Sequence, residues 1–231
     1  MMNKLFFVRK IKLVMSFFHK INLKSIYFNF HYLPFNQAIK LPILLSNKVY
    51  LNCVNGELAI QGKLKTGMIR IGFKNVGIFD QKYSRSIWEV SGKVVFQGNA
   101  FIGHGSKISV GPEGEIIFGK NFTISAESSI VSFKRIVLGD NCVLSWDILL
   151  MDTDFHKIMT KSGVILNNPK EINIGANVLI GLRSVIFKGT TIPNNTVISA
   201  LSNVRGKFKI ENTIIGGNPA EVQLSNVYCK G

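Results

Sequence analysis

Residues 174–204 read IGANVLIGLRSVIFKGTTIPNNTVISALSNV. Ile174, Ile180, Ile186, Ile192, Ile198 and Val204 recur every six residues, and all are β-branched aliphatics. Four places after each of the first five stands a small or β-branched residue: Val178, Ser184, Thr190, Thr196, Ser202. A helix repeats near 3.6 residues and fits a period of six poorly. A short strand closed by a tight turn fits it well. Three such hexads make one triangular coil of 18 residues, and coils stack at the spacing of paired strands, about 4.8 Å. The aliphatic residue of each hexad then points inward. Asn177, Asn195 and Asn203 fall near turns, where Asn tolerates left-handed backbone. The pattern predicts a parallel β-helix, which is an all-β solenoid. An ordinary β-sandwich whose strands share a spacing is the alternative.

The same phase runs backward through Leu138, Leu144 and Leu150, through Phe118, Ile124 and Ile130, and through Phe96, Ile102 and Ile108. It slips by a few residues between these runs, as loops or bulges require. Residues 51–215 therefore read as the solenoid, degenerate before residue 96. A polar loop at 155–171 interrupts it, and residues 216–231 form a tail. Residues 1–50 lie outside the repeat as an N-terminal cap. There Phe7, Ile11, Val14 and Phe18 make one helical stripe, with Arg9, Lys12, Ser16 and Lys20 opposite. The two readings are a helix closing the solenoid's open end and a basic anchor at a membrane surface; both can hold.

The 231 residues carry a net charge of +15. Residues 1–50 hold eight Lys or Arg and no Asp or Glu, the first acidic residue being Glu57. Such charge attracts polyanions, but no nucleic-acid module accompanies it. Cys53, Cys142 and Cys229 are odd in number and far apart, which suits a reducing compartment. No apolar run approaches the length of a spanning helix. The expected location is the cytoplasm, with the inner face of the membrane as the variant in which the N-terminal helix is an anchor.

Where the regular coil gives way to the loop stands Met151-Asp152-Thr153-Asp154-Phe155-His156. In extended backbone, residues 152, 154 and 156 share a face. Asp152 and Asp154 would then flank the His156 imidazole, raise its basicity and fix its tautomer, making it a general base. A solvated polar turn is the other reading of so short a motif. Trp146 should face outward, either to stack on a sugar ring or to pack on a neighbouring subunit. His104, in Ile102-Gly103-His104-Gly105, reads as a surface histidine; Lys188, at a turn before Gly189, reads as a solvated lysine, with contact to a cofactor as the other reading. With only His104 and His156 in the solenoid, a three-histidine metal site is not expected.

DTDFH at 152–156, INIGANVLIG at 172–181, IFKGTTIPNNTVISALSNV at 186–204 and NTIIGGNPAEV at 212–222 together resemble the hexapeptide-repeat acyltransferases. Within that superfamily they are most like the O-acetyltransferases of surface and capsular polysaccharides. The resemblance covers residues 96–222. It implies a left-handed helix, a hand that spacing does not fix. It implies acetyl-CoA or a similar thioester as donor, a sugar hydroxyl as acceptor, His156 as base, and a homotrimer with clefts between adjacent β-helices. It places Gly181 and Ala200 beside the donor's pantetheine arm, and Arg205 or Lys207 beside its phosphates. The chain departs from the pattern at Arg205-Gly206, at Glu221 where a cation usually follows NPA, and at Leu179 where tryptophan is common. On the same fold the alternatives are an N-acetyltransferase of a nucleotide-linked amino sugar, a drug acetyltransferase and a non-catalytic scaffold.

Overall fold

The computed structural model describes residues 21–74 and 76–227. The stripe from Phe7 to Phe18 lies outside them. Among these residues two short helices, α1 (Leu23–Tyr32) and α2 (Phe35–Ala38), precede 22 strands: β1 (Ile43–Leu45), β2 (Val49–Cys53), β3 (Glu57–Ile60), β4 (Ile69–Phe73), β5 (Ser86–Val90), β6 (Lys93–Phe96), β7 (Ala100–Gly103), β8 (Lys107–Val110), β9 (Glu115–Phe118), β10 (Phe122–Ala126), β11 (Ser129–Ser132), β12 (Ile136–Leu138), β13 (Val143–Trp146), β14 (Leu149–Met151), β15 (Ile172–Ile174), β16 (Leu179–Ile180), β17 (Val185–Phe187), β18 (Thr191–Ile192), β19 (Val197–Ile198), β20 (Asn203–Val204), β21 (Thr213–Gly217) and β22 (Ala220–Ser225). The strands form three sheets, ordered β1-β4-β7-β10-β13-β16-β19-β21-β22, β2-β5-β8-β11-β14-β17-β20 and β18-β15-β12-β9-β6-β3. We call these faces A, B and C. Up to β20 every third strand returns to the same face and pairs in parallel with its predecessor; β21 then pairs in parallel with β19, and β22 folds back antiparallel on β21. The fold is a left-handed parallel β-helix with an N-terminal helical cap.

The inward aliphatics stack as the hexads require. On face A, Ile102, Ile124, Leu144, Ile180 and Ile198 are partners in register. On face B, Ile108, Ile130, Leu150, Ile186 and Val204 do the same. On face C, Phe96 stacks on Phe118 with ring centroids 4.9 Å apart. All of these are buried. The 18-residue coil holds from Ile180 to Ile198. Earlier coils run 20 residues, Ile124 to Leu144, and 22 residues, Ile102 to Ile124. Those extra corner residues are the slips of phase seen in the sequence.

The C-to-A corner carries an amide ladder. Asn99 donates to Asn121, Asn121 to Asn141, Asn141 to Asn177, and Asn177 to Asn195, at 3.4, 3.1, 3.0 and 2.9 Å. The last four of these asparagines have φ between 55 and 57°. Asn203 is not a turn residue: it lies in β20 (Asn203–Val204) on face B.

Parallel strands begin at Ile43, ahead of residue 51, because α1 closes the first edge with polar side chains. Asn29 Oδ1 accepts from Ile43 N at 3.1 Å while its Nδ2 donates to Ile43 O at 2.7 Å. Ser25 Oγ accepts from Leu45 N at 2.8 Å, and Asn22 Nδ2 donates to Leu45 O at 2.8 Å. Phe28 meets Trp88 edge-on beneath them. The edge strand's unpaired groups, costly if buried and open, are thus satisfied without another strand.

Candidate functional site

The interruption after β14 (Leu149–Met151) is the one long excursion within the late coils. Its first half is a hairpin arm rather than a polar loop. Thr160 N bonds Val164 O at 2.9 Å, and Leu166 N bonds Ile158 O at 2.8 Å. Phe155, Ile158, Met159, Val164 and Leu166 are exposed along it. The chain then rejoins face C at β15 (Ile172–Ile174).

At the foot of the arm the expected triad does not form. Asp152 is fully buried. Its carboxylate accepts from Phe133 N at 2.7 Å, Lys134 N at 2.9 Å and Ser132 Oγ at 2.9 Å. It ties the coil below to the start of the arm. Asp154 faces the other way. Its Oδ2 accepts from Lys188 Nζ at 2.5 Å and Asn167 Nδ2 at 3.0 Å. These donors hold its carboxyl below the usual aspartate range. Neither carboxylate is bonded to the imidazole, so the predicted flanking of His156 is corrected. The reason is Phe155, whose φ of 60° ends the extended run and whose ring packs edge-on to Phe133, 5.2 Å between centroids. With strand alternation broken, 152, 154 and 156 do not share a face. His156 is exposed. Its N–H donates to Asp154 O at 2.6 Å and its carbonyl accepts from Asn167 Nδ2 at 2.7 Å, so the backbone of His156 is anchored while its ring is left to solvent.

Beside this anchor, at the B-to-C corner, lies a cavity of about 820 Å³. Lys134, Lys170, Lys188, Arg205 and Lys207 line it against only two carboxylates, Asp154 and Glu171. Lys188 is not a solvated turn lysine. Its amine also reaches Asn167 O at 2.7 Å, and its side chain is largely covered. The hexad register explains the meeting, since Met151 pairs with Phe187 across the interruption and so sets Lys188 over the 152–154 segment. Arg205 lies with its guanidinium 4.9 Å from the centroid of Phe187. Arg205-Gly206-Lys207 extends face C by one rung: Thr191 N bonds Gly206 O at 2.9 Å, and Phe208 N bonds Thr191 O at 3.0 Å. The cations not spent on Asp154 form a donor set that fits the phosphates of a nucleotide-bearing thioester.

Gly181, Ala200 and Trp146 occupy a different edge, the A-to-B corner. A Cβ on Gly181 would lie 2.5 Å from Ala200 N. The glycine is therefore required by coil stacking, whatever binds outside. Ala200 is exposed and Trp146 half-buried. The predicted residues thus divide into two sets on separate edges of the prism: Asp154, His156, Arg205 and Lys207 on one, Trp146, Gly181 and Ala200 on the other. His104, lower on the A-to-B corner, is buried rather than a surface histidine, 3% exposed, because the β4–β5 loop crosses over it and ties Ser84 to Glu127. Among the described residues its Nε2 has no hydrogen-bond partner; it lies 4.0 Å from Glu127 Oε1. Among the described residues no group of three or more His, Cys, Asp or Glu is placed to hold a metal.

The arrangement is a helix of short parallel strands with a basic corner cleft beside the turn at 152–156. No family model matches the chain. It is 29% identical over 203 residues to an uncharacterized 24.8 kDa protein in the cps region of Klebsiella pneumoniae, covering 86% of each chain. It is 34% identical over 109 residues to the galactoside O-acetyltransferase of Escherichia coli K12, and spans only about half of that relative, 52%. In fold it matches the crystal structure of the polySia-specific acetyltransferase NeuO with a TM-score of 0.56 and 22% identity, over 82% of this chain and 79% of that one. In repeat and fold the chain is similar to the hexapeptide-repeat acyltransferases.

Proposed function

We propose that the chain transfers an acyl group, acetyl foremost, from acyl-CoA to a hydroxyl of a carbohydrate in surface-polysaccharide synthesis, with His156 as general base. The observation that carries this reading is the basic cavity lined by Asp154 and Asn167, the two residues that anchor the His156 backbone, since it sets a donor set for phosphates next to the segment that bears the exposed imidazole. The relatives support an oxygen acceptor: one is a galactoside O-acetyltransferase and one lies in a cps region.

Acyl-CoA would supply an acyl carbon already activated as a thioester. His156 takes the acceptor's hydroxyl proton as the ester C–O bond forms. It returns that proton to the leaving sulfur as the C–S bond breaks, so no net proton is needed. Exposure of the ring suits this exchange, and main-chain N–H groups suit the developing oxyanion. Asp154 acts on the segment rather than on the ring, through Lys188 and Asn167.

The division of residues between two edges favours a cyclic homo-oligomer, read here as a trimer. One donor molecule can meet Arg205 and Lys207 of one copy and Gly181 and Ala200 of the next only in a cleft between copies. The hairpin arm supports this, because its exposed apolar residues need a neighbour to cover them. Product chemistry tests the reaction: acetylated carbohydrate made by the full chain should lose its acetyl group to hydroxylamine, as esters do. A product resistant to hydroxylamine would be an amide and would overturn O-transfer.

A further inference from the structure

Helix α1 is inside out. Its inward face presents Ser25, Phe28, Asn29 and Tyr32; Ser25 and Asn29 are spent on the edge of β1, and the Tyr32 hydroxyl accepts from Trp88 Nε1 at 3.1 Å. Lys24 and His31, at the flanks, are spent on the next edge, their side chains reaching Asn47 O and Val54 O at 3.0 and 2.8 Å. What remains for the outer face is apolar. Leu23, Ile26, Tyr27 and Phe30 line it at three- and four-residue spacing, and Phe35 and Ile39 continue it past the turn into α2. Leu23 is 84% exposed and Phe35 73%. A helix facing water ordinarily carries charge there; this stripe has none.

We propose that this face of the cap docks on an anionic lipid surface. Charge selects that occupant. Between residue 1 and Glu57 the sequence has eight Lys or Arg and no Asp or Glu. A second copy meeting the face would set one cationic cap against another. Residues 1–20 bring five of those eight cations, so as a cover they would add to the basic character rather than neutralise it. An anionic bilayer supplies both an apolar phase for the stripe and phosphates for the lysines. Aromatic rings such as Tyr27 are favoured at the interfacial depth. Among the described residues no helix is long and apolar enough to cross a membrane, so the contact is peripheral. The face sits at the first coil, about five coil steps or roughly 25 Å from the basic cavity, which stays open to solvent.

The test is co-sedimentation of the full chain with vesicles of phosphatidylcholine, alone or with one quarter phosphatidylglycerol. The expected result is pelleting with the anionic vesicles only, weakened by salt. The triple variant Tyr27→Ser, Phe30→Ser, Phe35→Ser should bind at least about tenfold more weakly. Its thermal unfolding should match the wild type, because these side chains lie outside the core. A wild-type chain that stays in the supernatant, or that pellets equally with neutral vesicles, would overturn the proposal. So would a variant that binds as the wild type does, since binding would then belong to residues 1–20. A variant that lowers the mass in solution while leaving lipid binding intact would assign the face to a second copy.

Discussion

Asp152 and Asp154 differ by two positions and have opposite tasks. Asp152 is a buried strut with three donors on its carboxylate. Replacing it by Ala takes the shared acceptor from two part-buried main-chain N–H groups and from the buried Ser132 hydroxyl, at about 1 kcal/mol each. Asp152→Ala should therefore lower stability by about 3 kcal/mol, read from urea unfolding, and lose activity only in proportion to the folded fraction. Asp154 is a tether. Lys188 and Asn167 depress its pKa, so the folded value lies below the unfolded one. By linkage the tether's contribution is complete above about pH 4 and is lost as pH falls through the depressed value. Lys188→Met should return the Asp154 carboxyl toward its ordinary range in carboxyl-carbon NMR titration. It should also speed amide exchange across 155–167. An unmoved titration would mean that Lys188 is not what holds the loop. Spacing had put both carboxylates on one face, and it failed at Phe155, whose positive φ has no signature in residue type. His104 was misread for a similar reason: the loop that buries it comes from an earlier coil, and a corner position alone does not reveal what crosses over it.

At the scale of elements, the cap and the corners hold the solenoid. Asn29→Ala leaves Ile43 N and Ile43 O open at the first edge of face A, both fully buried. The cost should be about 2–3 kcal/mol in denaturant unfolding, with exchange protection lost first in β1. Asn177 combines a left-handed backbone with two rungs of the amide ladder. Asn177→Ala should cost about 1–2 kcal/mol, and Asn177→Gly less, because glycine accepts the backbone. Asn177 and Asn195 were visible as turn residues from the hexads alone. The full ladder was not, because Asn99, Asn121 and Asn141 sit at intervals of 20 and 22 that a strict period of six does not connect. The cap's location was equally hidden. An amphipathic search finds helices with apolar residues inward, and α1 reverses that order.

At the scale of the molecule, the hexads of 174–204 predicted the parallel β-helix, the inward columns and the place where they break. Side-chain period decides those features, and coil stacking enforces them. The candidate site residues were legible only as a scattered set. Which edge each occupies follows from counting hexads from face to face, and that count places His156, Arg205 and Lys207 on one corner and Gly181 and Ala200 on another. If the site lies between copies, two inactive variants should rescue each other. His156→Ala lacks the proposed base, and Ala200→Trp fills the exposed wall of the facing edge. Refolded together, they should recover part of the transfer that neither shows alone. No recovery from mixed oligomers would place the whole site within one copy.

The central claim is that His156 is the base for acyl transfer to a carbohydrate hydroxyl. The most direct measurement is radiolabelled acetyl transfer from acetyl-CoA to surface-polysaccharide oligosaccharides by the wild type and by His156→Ala. Both proteins should be matched for unfolding midpoint, mass in solution and CoA affinity. The account predicts a loss of transfer of about 10²–10⁴-fold in the variant with those three properties unchanged. Transfer by His156→Ala at the wild-type rate would contradict it.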